Sequence, residues 1–278
     1  MSKGEWSASL WLEFALREED NKTVFARRTH SGPLRVQKSL YPEGNTCCHA
    51  ILLHPPGGIA GGDRLLIKAT VQKGAQALIT TPGATKWYRS VSRTAEQRTT
   101  LQVENKAILE WLPQENIFFN GTDASLITDI NLAEDATFIG LESCCLGRIA
   151  ADEQFDKGKI HLRGRLSVEE KLLWSEQAQL QGGSLWLKAL PGLGGCPFFA
   201  TLLAYSKKIN QELLNACRDA ERDEAISCGS TLFPSGLLVA RCLTYRAEPV
   251  QQWFFRLWSC LRPALIGRSA VLPRLWNT

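Results

Sequence analysis

Two adjacent stretches carry the side chains best suited to chemistry. In "TCCHAILLHPP" the residues Cys47, Cys48, His49 and His54 fall within eight positions, and thiolate and imidazole together are good ligands for zinc or nickel. On a strand, however, Cys47 and Cys48 point to opposite faces, and His49 and His54, five positions apart, do likewise. At most two of the four converge. The stretch therefore reads as a buried strand carrying small sulfur residues rather than as a metal site.

The second stretch, "LHPPGGIAGGDRL", places Gly57, Gly58, Gly61 and Gly62 ahead of Asp63 and Arg64. A Walker loop needs a lysine after its last glycine to meet the phosphates, and Asp63 stands there instead. A dinucleotide fingerprint must open a helix, whereas "RLLIKATVQ" alternates like a strand. What remains is a glycine-shaped turn between strands, in which Asp63 is the most informative residue. Further charges sit beside Gly, Pro or aromatic residues: Asp63, Lys86, Arg89, Glu110, Glu142 and Arg148. Such places tolerate buried or channel-lining charges when these are paired. There is no Gly-x-Ser-x-Gly elbow, and His30, His49, His54 and His161 accompany no nucleophile motif. An enzymatic alternative would be a small metal- or nucleotide-dependent enzyme built on the loop Gly57–Gly62.

The elements that must position these residues are mostly strands. From Thr29 to about Val168 apolar residues alternate, as in Leu65, Ile67, Ala69 and Val71, which implies strands with one wet face. A loose repeat runs through "VQKGAQALI", "VENKAILEW" and "LAEDATFIG". Each places an apolar residue four positions before an alanine, and the starts lie 32 and 29 residues apart. That spacing suits hairpins stacked side by side in a solenoid or an irregular sandwich. Two later segments change period: residues 206–225 place Ile209, Leu213, Leu214, Cys217 and Ala220 on one stripe, with Ser206 as N-cap. Residues 248–262 form a second helix with Pro249 in its first turn and Pro263 as its stop. The expectation is a mostly β, solenoid-like (β-helix-like) stack of antiparallel strands with two C-terminal helices. No linker divides it, so residues 1–278 form a single domain, with an N-terminal strand region over 1–27.

Composition removes several function classes. The 278 residues carry 32 basic and 28 acidic side chains without a clustered basic face, so nucleic acid is not expected as a partner. The N-terminus mixes Glu5 and Glu13 among its apolar residues, unlike a secretion signal. The longest apolar run, Pro197 to Tyr205, is far too short to span a membrane. A cytoplasmic location follows. Nine cysteines with no CxxC pair read as small buried apolar residues rather than a disulfide framework.

Six blocks together carry a resemblance: "GPLRVQKSLYPEG", "CCHAILLHPPGGIAGGDRL", "LITTPGATKWYRS", "LEWLPQENIFF", "CLGRIAADEQFDKG" and "RLWSCLRPALIGRSAVLPRLWNT". In this order they resemble the UreD (also called UreH) family of urease accessory proteins, over about residues 28–278. The resemblance implies a non-enzymatic maturation factor that binds apo-urease and UreF and, through UreF, the GTPase UreG, so that nickel reaches a carbamylated lysine in urease. It also implies a mostly β, helix-like stack with two helices, a 2:2 assembly with UreF, and an internal tunnel as the nickel route. No cofactor is held stably; nickel is cargo in transit. The matching blocks transfer Gly57, Gly58, Gly61, Gly62 and Asp63 as one signature loop and Thr80, Thr81, Lys86, Tyr88 and Arg89 as the next. Asp63, Glu110 and Glu142 are expected to line the channel or to ligate a passing divalent ion. The aromatic C-terminal region, Trp253 to Trp276, is expected to meet UreF through Trp253, Trp258 and Arg262, or else to cap the open end of the stack.

Overall fold

The alternating segments wind into a coiled stack in the computed structural model, which describes residues 6–221 and 226–277. The chain opens with β1 (Ser7–Arg17), β2 (Lys22–Ser31) and the short β3 (Arg35–Val36). Three coils of three strands follow: β4 (Cys47–Leu53), β5 (Gly58–Ile59) and β6 (Arg64–Val71); then β7 (Gln76–Thr80), β8 (Thr85–Trp87) and β9 (Ala95–Val103); then β10 (Ile108–Leu112), β11 (Asn116–Phe118) and β12 (Asp123–Leu132). A fourth coil has β13 (Thr137–Leu146) and β14 (Lys159–Val168), after which come β15 (Lys171–Gln181), a one-turn helix α1 (Leu185–Lys188) and β16 (Phe198–Tyr205). The chain finishes with α2 (Gln211–Ala220), the hairpin β17 (Ser227–Phe233) and β18 (Leu237–Thr244), and α3 (Ala247–Ile266).

Equivalent strands of successive coils pair in parallel. One sheet runs β15-β14-β12-β9-β6-β1-β2, and the other runs β17-β18-β16-β13-β10-β7-β4-β3, with β5, β8 and β11 forming a narrow third side. The middle of both sheets is parallel, as in His49 beside Leu78 beside Glu110 beside Ile139. Antiparallel pairs, such as β14 with β15 and β13 with β16, close the ends. The fold is therefore solenoid-like and mostly β, as the sequence implies.

The repeat has a different meaning from the stacked hairpins it suggests. Ala75, Ala107 and Ala136 each close a tight turn, their N–H groups donating to Gln72, Glu104 and Ala133 three residues back. These turns lead each coil into the next. Their alanines are at most 1 % exposed, and the carbonyls of Ala75 and Ala107 accept from Ile108 and Thr137 of the following coil. The corner has room for one methyl group. Alternation reports that a strand has a buried face, but not whether its successor pairs with it or crosses to the opposite sheet.

Between the sheets lies the main core, built from inward residues such as Leu10, Phe14, Ile79, Trp87, Leu101 and Phe138. The outer face of the β4-β7-β10-β13 sheet is also apolar, and α2 and α3 cover it through Leu214, Trp253, Phe254, Leu257 and Trp258. Burial on both faces explains the near-continuous apolar run of β4, in which Cys47 through Leu52 are all buried. Both helices depart slightly from their sequence bounds. α2 begins at Gln211 because Asn210, not Ser206, accepts the Leu213 N–H in its side chain at 2.9 Å; the expected stretch 222–225 lies outside the described residues. α3 runs past Pro263 to Ile266, since that proline sits exposed in the last turn, and Gly267, at φ 75°, ends the helix by donating to the Pro263 carbonyl. No described helix is long and apolar enough to cross a membrane.

Candidate functional site: an interior cavity between the sheets

The glycine loop is packed rather than open. A Cβ on Gly58 would lie 2.5 Å from the Tyr88 ring, and one on Gly61 would lie 2.8 Å from the Arg93 carbonyl. Gly57 and Gly62 adopt φ of 79° and 97°, which favour glycine. The donors a phosphate would need are already spent: Gly57 donates to His54, Gly62 to Thr94 and Asp63 to Ala60. Asp63 is 5 % exposed, and its carboxylate accepts the N–H of Trp6 at 3.1 Å and of Ala60 at 2.9 Å. It fastens the loop to the N-terminal strand. Of the next signature loop, Lys86 borders an interior cavity, Tyr88 stacks on Gly58, and Arg89 packs against Gly121 at the outer surface.

Of the four cysteine and histidine side chains in the first stretch, Cys47 and His49 come together on the outer face of β4. Cys48 faces the inter-sheet core, and His54 borders the cavity. Glu43 joins the first pair, and ligand atoms of the three lie within 4.8 Å of one another. Metal binding is opposed by what surrounds them. His49 Nε2 sits 2.7 Å from Glu43 Oε1, and the two terminal nitrogens of Arg262 donate to both Glu43 oxygens at 2.7 Å. Burial raises the Glu43 carboxyl, but the hydrogen bonds from His49 and Arg262 override it and bring it down to about 2. Burial pushes the Cys47 thiol up to about 12, so it is not a thiolate. The cluster is an ion-pair network already closed by a guanidinium.

Arg262 and its neighbours also correct the expected partner surface. Trp253, Trp258 and Arg262 are all 0 % exposed. Trp258 Nε1 donates to Glu110 at 2.7 Å, Arg262 Nε donates to Glu110 at 3.0 Å, and Trp253 Nε1 donates to Glu221 at 3.2 Å. The guanidinium lies 4.8 Å from the Trp258 ring centroid. These side chains seat α3 on the sheet, so they meet no partner, and α3 lies across the outer face of the stack rather than over its end. Glu110, 1 % exposed, faces α3 and is therefore turned away from the inter-sheet space. An acid inside the apolar strand "ILEWL", with Trp258 and Arg262 one helical turn apart, is the sequence signal for that bond.

Glu142 alone of the three expected acids borders interior space. In β13 the residues Phe138, Gly140, Glu142 and Cys144 face inward, so the carboxylate takes a position that apolar side chains hold elsewhere. Two cavities adjoin it. One, of about 200 Å³, is bordered by Leu162, Trp174, Glu176, Trp186 and Phe199; the other, of about 300 Å³, by Leu52, His54, Lys86, Thr99 and Asn116. Trp111, Thr128 and Glu142 border both, so the two cavities are neighbours that share these side chains in their walls. Thr128 Oγ1 donates to Glu142 Oε2 at 3.1 Å. Burial pushes the Glu142 carboxyl up to about 7; the Thr128 bond opposes this, and the like charge of Glu176 adds to it. Near neutral pH this group offers an oxygen ligand at the wall the two cavities share. Thr99, Thr128, Glu176 and Trp186 are not among the sequence-derived site residues, because parallel stacking brings together positions that no local motif links.

At the far end of the first cavity, the α1 region exposes Leu185 (85 %), Trp186 (54 %) and Leu190 (92 %). Trp186 and Pro191 also border the cavity, so this exposed apolar segment adjoins it.

Comparison with known proteins matches residues 7–277 to the family model described as "UreD urease accessory protein". The chain is 46% identical over 273 residues to the urease accessory protein UreD of Azoarcus sp. (strain BH72), covering 98% of this chain and 94% of the relative. It is 48% identical over 273 residues to the UreD protein of Nitrosococcus oceani, covering 98% and 90%. With that of Dechloromonas aromatica the identity is 44% over 276 residues, covering 98% and 95%.

Proposed function

The chain belongs to the UreD family of urease accessory proteins, and on that premise we propose that it is a cytoplasmic, non-catalytic scaffold in nickel delivery to urease. It binds apo-urease and UreF, reaches UreG through UreF in a 2:2 assembly with UreF, and gives the nickel ion a protected way through its interior. The observation that carries this reading is the pair of neighbouring cavities that share Trp111, Thr128 and Glu142 in their walls. A carboxylate whose burial raises it toward neutrality, at the wall shared by two cavities, suits weak, reversible capture of a hard or borderline cation. No ion stays: transit requires binding favourable enough to enter and weak enough to leave. The exposed apolar segment of Leu185, Trp186 and Leu190, of which Trp186 borders the first cavity, is where a partner seats.

The glycine loop is packed and the N–H groups of Gly57, Ala60, Gly62 and Asp63 already donate within the protein, which gives the enzymatic alternative no support. The test is complementation: a urease operon lacking this gene receives the wild type or Glu142→Gln, and urease activity and capture of UreF and apo-urease are both measured. Lost activity with intact capture supports the path. Full activity with Glu142→Gln removes it.

A further inference from the structure

His54 is partly buried, and its ring nitrogens are placed where polar atoms are expensive. It follows β4 directly and borders the 300 Å³ cavity together with Thr99, Thr128 and Glu142. Both of its ring nitrogens are shielded from solvent and have no hydrogen-bond partner among the described residues. Thr99, 1 % exposed, borders the same cavity, and its hydroxyl is also unpartnered. Unpaired buried polar atoms each carry a desolvation cost and are uncommon in folded proteins. Asp63 does not satisfy the imidazole, because its oxygens are engaged by Trp6 and Ala60. Burial lowers the pKa of the ring, against an opposing pull from Asp63, which favours the neutral form. A neutral imidazole is a good nitrogen ligand for a borderline divalent ion.

We propose that the His54 imidazole is a transient nitrogen ligand for a divalent cation crossing the cavity, a waypoint separate from the Glu142 carboxylate. The proposal rests on the transit reading above. Isolated ligands fit that role better than a cage. Among the described residues the one cluster of three ligating side chains is Glu43, Cys47 and His49, on the other face of the sheet and closed by Arg262. A passage offering one nitrogen and, further along, one carboxylate holds an ion briefly at each, whereas several convergent ligands would trap it.

The experiment uses the full-length wild-type chain with ¹⁵N-labelled histidine and nickel(II) alone as the probe. With four histidines in the chain, the ring signals of His54 are assigned from the spectrum of His54→Asn. Paramagnetic broadening of the His54 signals at substoichiometric nickel, ahead of those of buried His49, is the expected result. Broadening confined to His30, His49 or His161 overturns the proposal, and this readout does not depend on a variant folding. In the complementation assay His54→Asn should need about tenfold more nickel for half-maximal urease activation, as expected for a lost contact of about 1.4 kcal/mol. If His54→Asn matches the wild type at limiting nickel while Glu142→Gln fails, the waypoint is wrong and the transit reading stands. If both match the wild type, the transit reading itself fails.

Discussion

Arg262 donates from Nε to Glu110 at 3.0 Å, joining α3 to the middle of a β-sheet 152 residues earlier in the chain. Its terminal nitrogens hold Glu43 as well, so a single buried guanidinium bridges two carboxylates. Removing one partner from a buried ion pair leaves uncompensated charge and costs about 3–5 kcal/mol. Arg262→Met should therefore lower the urea midpoint strongly. Adding Glu110→Leu should recover part of the loss, because the stranded carboxylate is then gone. Equal midpoints for the wild type and Arg262→Met would contradict this account of how α3 is anchored.

Gly58 is required for space rather than for backbone freedom, since Gly57 carries the positive φ while a Cβ at Gly58 meets the Tyr88 ring at 2.5 Å and the Lys86 carbonyl at 2.8 Å. Gly58→Ala should cost about 1–3 kcal/mol by overpacking. Because part of the clash comes from a side chain, Tyr88→Ala in that background should restore some stability, and thermal melts of the two single variants and the double variant measure the coupling.

Thiol reactivity should divide the nine cysteines. Cys196, Cys228 and Cys260 are partly exposed; the other six are buried. Burial pushes Cys145, Cys217 and Cys242 up to about 12 as well as Cys47. Brief alkylation of the native chain followed by peptide mass spectrometry should label Cys196, Cys228 and Cys260 and spare the rest, while denaturant exposes all nine. Rapid native labelling of Cys47 would show that the network around Arg262 opens.

Glu142 should leave a pH signature. Its carboxyl titrates near 7 in the folded chain against 4.5 when unperturbed. Below pH 4.5 both states are protonated and the group contributes nothing. As pH rises from 4.5 to 7 the unfolded chain ionises first and the fold loses stability, on the order of 3 kcal/mol, a penalty that persists above pH 7. Glu142→Gln removes it, so the stability advantage of this variant over the wild type should grow between pH 5 and pH 8. A difference that does not change with pH would mean that the carboxyl is not desolvated.

The stack was legible in the sequence because alternation and the corner alanines report local constraints: Ala75, Ala107 and Ala136 recur wherever the chain turns into a new coil. The direction of pairing was not, since a parallel neighbour lies a whole coil away and leaves no mark on adjacent residues. Glu142 could be picked out as an acid beside a tight turn in an apolar strand. The same criterion selected Asp63 and Glu110, whose oxygens the structure finds occupied by backbone N–H groups and by Arg262 and Trp258. An acid in an apolar strand signals a buried partner or a cavity, and which of the two depends on the face it turns to, which a single strand pattern leaves open when both faces are buried. The abundance of aromatic residues in α3 suggested an interface for a similar reason. A helix lying on an apolar outer sheet face needs the same side chains as one awaiting a partner.

Blocking the passage tests the central claim most directly. Thr128 borders both cavities, so Thr128→Trp should fill the space on either side of it and block any route from one to the other, whereas Thr128→Val removes the hydroxyl and leaves the space. The measurement is nickel bound per urease active site after maturation with each variant, alongside capture of UreF and apo-urease. The account predicts nickel-poor urease with Thr128→Trp, near-normal loading with Thr128→Val, and unchanged capture with both. Fully loaded urease from a folded, partner-bound Thr128→Trp scaffold would contradict it, because nickel would then reach urease without crossing this interior.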